Sequence, residues 1–227
     1  MSRRAAPLQG DRASMGVAMD RAVRGSTILF SEMTPQSSWE GEFNDWYDRE
    51  HIPLRMACPG FLSAQRYLAP ASRNYLAIYE MGAPGDLRTP EYAKVKGEPS
   101  DLTRRMLAGV GGFTRYIASE PAAGSAVDAA GMDARGLLAT FLRVGPGDRD
   151  AFERWASDAR PAGGRLRLTR RLAISDGDPG DWTDLMLFYL EDGSTEAGGL
   201  AAPVAPPGVA SRSLFFVRHG ARQVAGG

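Results

Sequence analysis

Glu42-Phe43-Asn44-Asp45-Trp46-Tyr47-Asp48-Arg49-Glu50-His51-Ile52-Pro53 holds one of the chain's two histidines and the aromatic residues around which the rest can be arranged. Wound at about 100° per residue, Trp39, Phe43, Trp46 and Glu50 share one stripe. Tyr47 and His51 stack at i, i+4 one step round the cylinder, with Asn44 beside them. An apolar stripe bordered by a polar trio is the pattern of a helix lining the edge of a buried cavity.

Outward from that helix the chain alternates strand and helix signals. Ser26 to Met33 is a strand-like run that Pro35 ends, and Ser37-Ser38 offers N-cap chemistry for the helix. Pro53 or Pro59-Gly60 closes the helix. Phe61 to Leu68 and Tyr75 to Met81 read as strands, separated by the Ser72-Arg73-Asn74 turn. Thr89-Pro90-Glu91 opens a helical region through about Ala108, and Phe113 to Ala118 supplies a fourth strand. The order is β-α-β-β-α-β, the ferredoxin-like arrangement. A linker rich in Ala, Gly and Ser follows, and the order then begins again: strands at 136–144, 166–174, 184–190 and 213–218, with a helix at 148–160. Residues 192–210 carry too much Gly and Pro for a second helix.

The halves align in detail. Phe43 and Trp46 have the spacing of Phe152 and Trp155, and Arg66-Tyr67-Leu68-Ala69 parallels Arg170-Arg171-Leu172-Ala173. Ala156 stands opposite Tyr47, Glu153 opposite Asn44 and Arg160 opposite His51, so the aromatic anchors persist while the Tyr/His pair does not. That asymmetry places a single site in the first half. The arginines at 165, 167, 170 and 171 read as the wet face of a strand.

Composition narrows the function classes. Lys plus Arg equals Asp plus Glu at 27 each, and no basic stripe with interleaved aromatics argues for nucleic acid. Cys58 is the only cysteine, which excludes an intrachain disulfide and a CxxC zinc cluster. There is no apolar run of about 18 residues, and the first 24 residues lack the apolar core of a secretory signal. A cytoplasmic protein without a membrane partner is expected. Two histidines in different halves give no metal-ligand spacing, no glycine-rich phosphate loop precedes a helix, and no nucleophile elbow occurs.

The run NDWYDREHIPLRMACPGFLSAQRYLA, followed by NYLAIYEM, resembles the EthD-like branch of the dimeric α/β-barrel superfamily. The pattern is a WY-x-x-EH-x-P helix end, then PGF, an R-Y strand and a Y-L-x-x-Y-E strand, and it covers roughly residues 26–118. The resemblance implies an α+β fold: tandem ferredoxin-like repeats forming an intramolecular pseudo-dimer of the dimeric α/β-barrel type. The expected parts are an arm over 1–24, a unit over 25–120 with the site, a linker over 121–133, a second unit over 134–220 and a tail over 221–227. The chain would be a monomer or a homodimer. It also implies a small-molecule enzyme, since the superfamily holds lactone isomerases, polyketide cyclases, decarboxylases, dehydratases, cofactor-free monooxygenases and haem-binding enzymes.

For most of these reactions a proton moves beside a carbonyl in a dry cavity. Histidine, with an ordinary pKa of about 6.5, suits that transfer. A tyrosine hydroxyl can polarise the carbonyl. His51 as acid/base and Tyr47 as polarising group are therefore the expected catalytic pair, against a competing role for His51 as a helix C-terminal cap. Candidate substrate-binding residues are Asn44, Trp46, Arg66, Tyr67 and Tyr79, with Arg66 available for a carboxylate. His219 reads as solvated and silent. The leading expectation is a lyase or isomerase of an aromatic, lactone or polyketide-like acid, with no cofactor and no metal. A cofactor-independent monooxygenase is the alternative, and a non-catalytic ligand-binding relative a third reading.

Overall fold

The computed structural model describes residues 24–121, 132–178, 180–191, 193 and 199–226. The arm and the linker expected from the sequence lie almost wholly outside these residues. Among the described residues eight strands occur: β1 (Thr27–Thr34), β2 (Phe61–Ala69), β3 (Asn74–Met81), β4 (Gly111–Ser119), β5 (Gly136–Arg143), β6 (Leu166–Asp178), β7 (Asp184–Leu190) and β8 (Ala210–Val224). The helices are short: α1 (Glu40–Trp46), α2 (Ile52–Met56), α3 (Pro90–Gly97), α4 (Asp101–Gly109) and α5 (Arg149–Asp158).

The expected α+β tandem of ferredoxin-like units is corrected by the strand pairing. The strands close into one antiparallel barrel in the order β1-β3-β2-β8-β5-β7-β6-β4 and back to β1, with the few short helices outside it. The physical reason is the cost of a free edge. An unpaired strand leaves a row of backbone donors and acceptors, and closure removes every such row. β8, 15 residues long, pairs with both β2 and β5, and β4 pairs with both β1 and β6. These two seams merge what the local order alone divides into units.

Alternation along each strand then sorts side chains to two sides. Ile28 and Phe30 of β1, Ile78 of β3, Phe141 of β5 and Leu187 of β7 fill the barrel. Leu29 and Met33 of β1 and Tyr75, Ala77 and Tyr79 of β3 point outward, where Phe43 and Trp46 of α1 cover them. Phe152 of α5 covers Leu138, Leu142, Met186 and Phe188 in the same manner on the far side. Each fully buried large apolar side chain contributes about 1.5–3 kcal/mol.

The same alternation corrects two expectations for β6. Residues 168, 170 and 172 share a face, so Arg170 enters the barrel with Leu168 and Leu172 instead of lying on a wet face. Its guanidinium donates to Glu80 at 2.6 Å, with both side chains fully buried, and to Glu120 at 3.1 Å. The backbone of Gly25 completes the arrangement, its carbonyl accepting from Arg170 and its N–H donating to Glu80, both at 3.1 Å. The parallel between the two halves is also shifted by one residue. Arg171, not Arg170, sits as Arg66 does: it lies over Phe152 at 4.8 Å and binds Glu153 of the helix.

Removing one partner of a buried pair strands the other charge, which typically costs about 3–5 kcal/mol. Arg170→Met is expected to lower unfolding free energy by about that amount in urea titrations, and the Glu80→Leu/Arg170→Met double variant to regain most of it. A single variant within ~1 kcal/mol of wild type would show that Glu80 and Arg170 are not buried as a charged pair.

Candidate functional site

The helix carrying the opening motif is built differently from a regular α-helix. A short 3-10 turn at Ser37–Trp39 leads into α1, and neither start shows a side-chain cap, so the expected serine caps do not form. Glu40 and Glu42 instead place negative charge in the first turn, where the helix dipole favours it. From Tyr47 to His51 the backbone is a π-turn, with the Ile52 N–H reaching back to the Tyr47 carbonyl. Pro53 follows directly; it has no N–H with which to continue the regular ladder.

The wide turn decides which side chains meet. In a regular helix Trp46 and His51 would stand about 140° apart. Here the His51 ring lies 4.4 Å from the Trp46 ring and 4.6 Å from the Tyr47 ring, centroid to centroid. π-turns of this kind concentrate at functional sites. The Trp46 indole N–H donates to the Thr103 hydroxyl of α4 at 3.0 Å, and that hydroxyl donates to Glu50 at 2.8 Å. Glu50 thus finds its partners in Thr103 of α4 and in Ser100, the residue that caps that helix.

Arg66 locks the other side of the helix. Its guanidinium stacks over Tyr47 at 4.5 Å and Tyr75 at 5.0 Å, and donates to Asp48 at 2.9 Å and to the side-chain Oδ1 of Asn44 at 2.6 Å. The Asn44 amide donates in turn to the Tyr75 hydroxyl at 3.1 Å, which donates to Glu40 at 2.6 Å. Arg66 and Asn44 are therefore spent on holding α1 to the barrel. Asp48 is the ion-pair partner of Arg66. His219, expected to be solvated, lies on β8, half-buried, its ring 5.2 Å from that of Tyr75. Tyr67 points the opposite way, into the barrel among Phe30, Tyr116 and Tyr189.

His51 is 4% exposed, and its Nδ1 has no hydrogen-bond partner among the described residues. Burial, reinforced by the Arg55 and Arg66 cations, holds its pKa well below the usual histidine range, so the imidazole is neutral at pH 7. Burial raises the Tyr47 and Tyr79 phenols, which keep their protons. Their hydroxyls are close enough to affect one another's proton affinity, yet Tyr79 Oη makes no hydrogen bond of normal geometry.

Beside His51 a cleft of about 430 Å³ opens between α2, α3 and α4. Leu54, Ala57, Cys58, Val95 and Leu107 give it an apolar surface, and Arg55, Lys94 and Lys96 bring positive charge to it. Cys58 donates to the Leu54 carbonyl at 3.4 Å, and burial pushes its thiol up, away from thiolate chemistry. Of the residues expected from the sequence, the fold gathers Asn44, Trp46, Tyr47, His51, Arg66 and Tyr79 between helix and barrel, leaves Tyr67 on the other face, and opens only His51 to the cleft. Sequence reading missed Arg55, Lys94 and Lys96. Arg55 had a usable signal, since it stands four residues after His51 and donates to its carbonyl at 3.0 Å. Among the described residues no group of three or more His, Cys, Asp or Glu is placed to hold a metal, and no helix is long and apolar enough to cross a membrane.

No protein-family model and no curated protein matches the chain. Solved structures do. The chain is similar to an anthrone oxidase-like protein, with a TM-score of 0.56 and 10% identity over 91% of this chain and 96% of that one. It is also similar to a proposed monooxygenase from Fusobacterium nucleatum, with a TM-score of 0.50 and 9% identity over 89% and 96% of the two chains. At such identities the likeness shows the fold. Nothing in that likeness singles out the EthD-like branch.

The His51 shift has a sign that can be checked. The folded pKa lies below the unfolded value of about 6.5, so between the two the unfolded chain binds more protons and stability rises with pH. The thermal midpoint is expected to fall as pH drops below about 6.5, His51 contributing up to ~1.4 kcal/mol per pH unit in that window. His219, whose pKa burial also lowers, adds in the same sense. His51→Gln should flatten the decline more than His219→Gln does; an equal slope in wild type and His51→Gln would contradict a buried neutral imidazole.

Proposed function

We propose that this chain is a small-molecule oxygenase that works by proton abstraction, with His51 as the base and an electron-rich phenol or anthrone as substrate. One observation carries the reading: a neutral, buried imidazole with an unspent nitrogen borders a largely apolar cleft. A neutral imidazole has a lone pair with which to take a proton, and an apolar wall favours an aromatic body. The name of the anthrone oxidase-like neighbour makes anthrones the first substrates to try. The WY-x-x-EH-x-P motif, which resembles the EthD-like branch, places the same histidine at the helix end.

The chemistry balances with molecular oxygen as oxidant. His51 takes a proton from the activated CH2 carbon, leaving a carbanion whose charge spreads onto the ring oxygen. The carbanion gives an electron to O2, the radical pair joins as a C–O bond, and the imidazolium returns its proton to the peroxide. Loss of water then leaves a carbonyl, so that CH2 plus O2 becomes C=O plus H2O. Tyr47 and Trp46 fix the imidazole in place by packing on it. A lyase or isomerase would use the same base, and oxygen uptake separates the two.

The test is oxygen consumption by the purified protein with anthrones and polyhydroxylated naphthalenes, followed by 18O2 incorporation into product. One mole of O2 per mole of quinone is expected. His51→Gln should lower kcat by about 100- to 10,000-fold while circular dichroism stays unchanged. Product formed without oxygen uptake would replace the oxygenase by a lyase or isomerase. Full activity in His51→Gln would remove His51 from the mechanism.

A further inference from the structure

Arginine was expected to meet the substrate through Arg66, but that guanidinium is buried and donates to Asp48 and Asn44 of the helix it anchors. Arg49, Arg73, Arg104 and Arg105, on or near the same helix layer, each meet a carboxylate too. Arg55 is the contrast. It is half-buried, lines the cleft beside His51, and has no carboxylate partner among the described residues. Its hydrogen bond is a single one from Nη1 to the His51 carbonyl at 3.0 Å, and its Cζ stands 5.9 Å from the Tyr79 ring centre.

A guanidinium carries five N–H donors in a planar fork suited to a pair of oxygens, and leaving it half-desolvated without a counter-charge is unfavourable. The rim adds to the imbalance. Arg55, Lys94 and Lys96 face Glu91 and Glu98, three positive charges against two negative, and none of the five forms an ion pair with another. Around them the wall is Leu54, Val95 and Leu107, with Leu54 and Leu107 among the exposed large apolar side chains. Such a surface is matched by a ligand with a flat apolar body and one anionic oxygen group.

We propose that Arg55 is the anion-binding residue of the cleft, and that the substrate is an aromatic acid whose carboxylate or phenolate oxygen it holds while the ring lies on Leu54, Val95 and Leu107. The proposal rests on the His51 cleft being the functional site, but not on the reaction there being an oxygenation. Fixing an anionic oxygen one helical turn from the imidazole orients the ring relative to His51, which is how a bidentate contact narrows the approach to one geometry.

Binding of unreactive probes tests this apart from turnover. Calorimetric titrations would use 2-naphthoate, 4-nitrophenolate at pH 8.5 and neutral 2-naphthamide, against wild type, Arg55→Met, Arg55→Lys and His51→Gln. Wild type is expected to prefer at least one anion over the amide by about tenfold or more, the naphthoate identifying a carboxylate site and the nitrophenolate a phenolate site. Arg55→Met should erase the preference, Arg55→Lys should keep part of it, and His51→Gln should keep it nearly whole. No preference for either anion over the amide in wild type, or an unchanged preference in Arg55→Met, would overturn the proposal. An anion preference that depends on Arg55, in a protein that takes up no oxygen, would leave this inference standing and remove the oxygenase.

Discussion

Two backbone seams carry this structure: β2 against β8 and β4 against β6. Without them each half would end in exposed strand edges, and a barrel interior would not exist. With them every strand has two neighbours, and each residue's parity along its strand assigns it to the interior or to a helix-covered outer surface. Leu29 and Tyr79 belong to the helix side because Ile28 and Ile78 belong to the inside. The placement of every candidate site residue on β2 and β3 follows from that division, and so does the separation of Arg66 from Tyr67, its immediate neighbour in sequence.

On the outer surface the fold spends its arginines carefully. Arg66 cross-links strand to helix through Asp48 and Asn44 while covering Tyr47 and Tyr75, which couples electrostatic and ring-stacking contributions in one side chain. Arg170 does the equivalent inside the barrel, tying β6 to Glu80 of β3 and to the chain entering β1. Arg170 is held against Glu80 on a paired strand, and Arg66 against two side chains of the helix it anchors. Arg55 lies on the short α2 beyond the π-turn and is not held in this way. The difference between a structural and an available guanidinium is here a matter of which carboxylates the barrel brings within reach.

The π-turn links the architecture to the chemistry. It turns His51 toward Trp46 and buries it, and burial is the largest cause of the lowered pKa that keeps the imidazole neutral at pH 7. Nearby cations act in the same direction, because protonation would add a third positive charge to a place that already holds Arg55 and Arg66. A base of this kind, next to an apolar cleft, is what the proposed proton abstraction requires. Thr103 of α4 holds the turn through Trp46 and Glu50, so the wall of the cleft and the base belong to one connected unit.

Local physics was legible in the chain from the start. The alternation in 61–68 and 75–81, the aromatic stripe of Phe43 and Trp46, and the pairing of Tyr47 with His51 needed only side-chain period and turn chemistry, since each concerns residues within a turn or two. Even the inward Arg170 could have been read from its parity with Leu168 and Leu172. Other features could not. The closure of eight strands into one barrel depends on partners up to about a hundred and sixty residues apart, as with Ser63 and Val224, and no local pattern encodes which edge meets which. The availability of Arg55, the engagement of Arg66 and the neutral state of His51 are likewise tertiary. Each is set by the charges and the burial that packing brings round a side chain, and those come from distant parts of the chain.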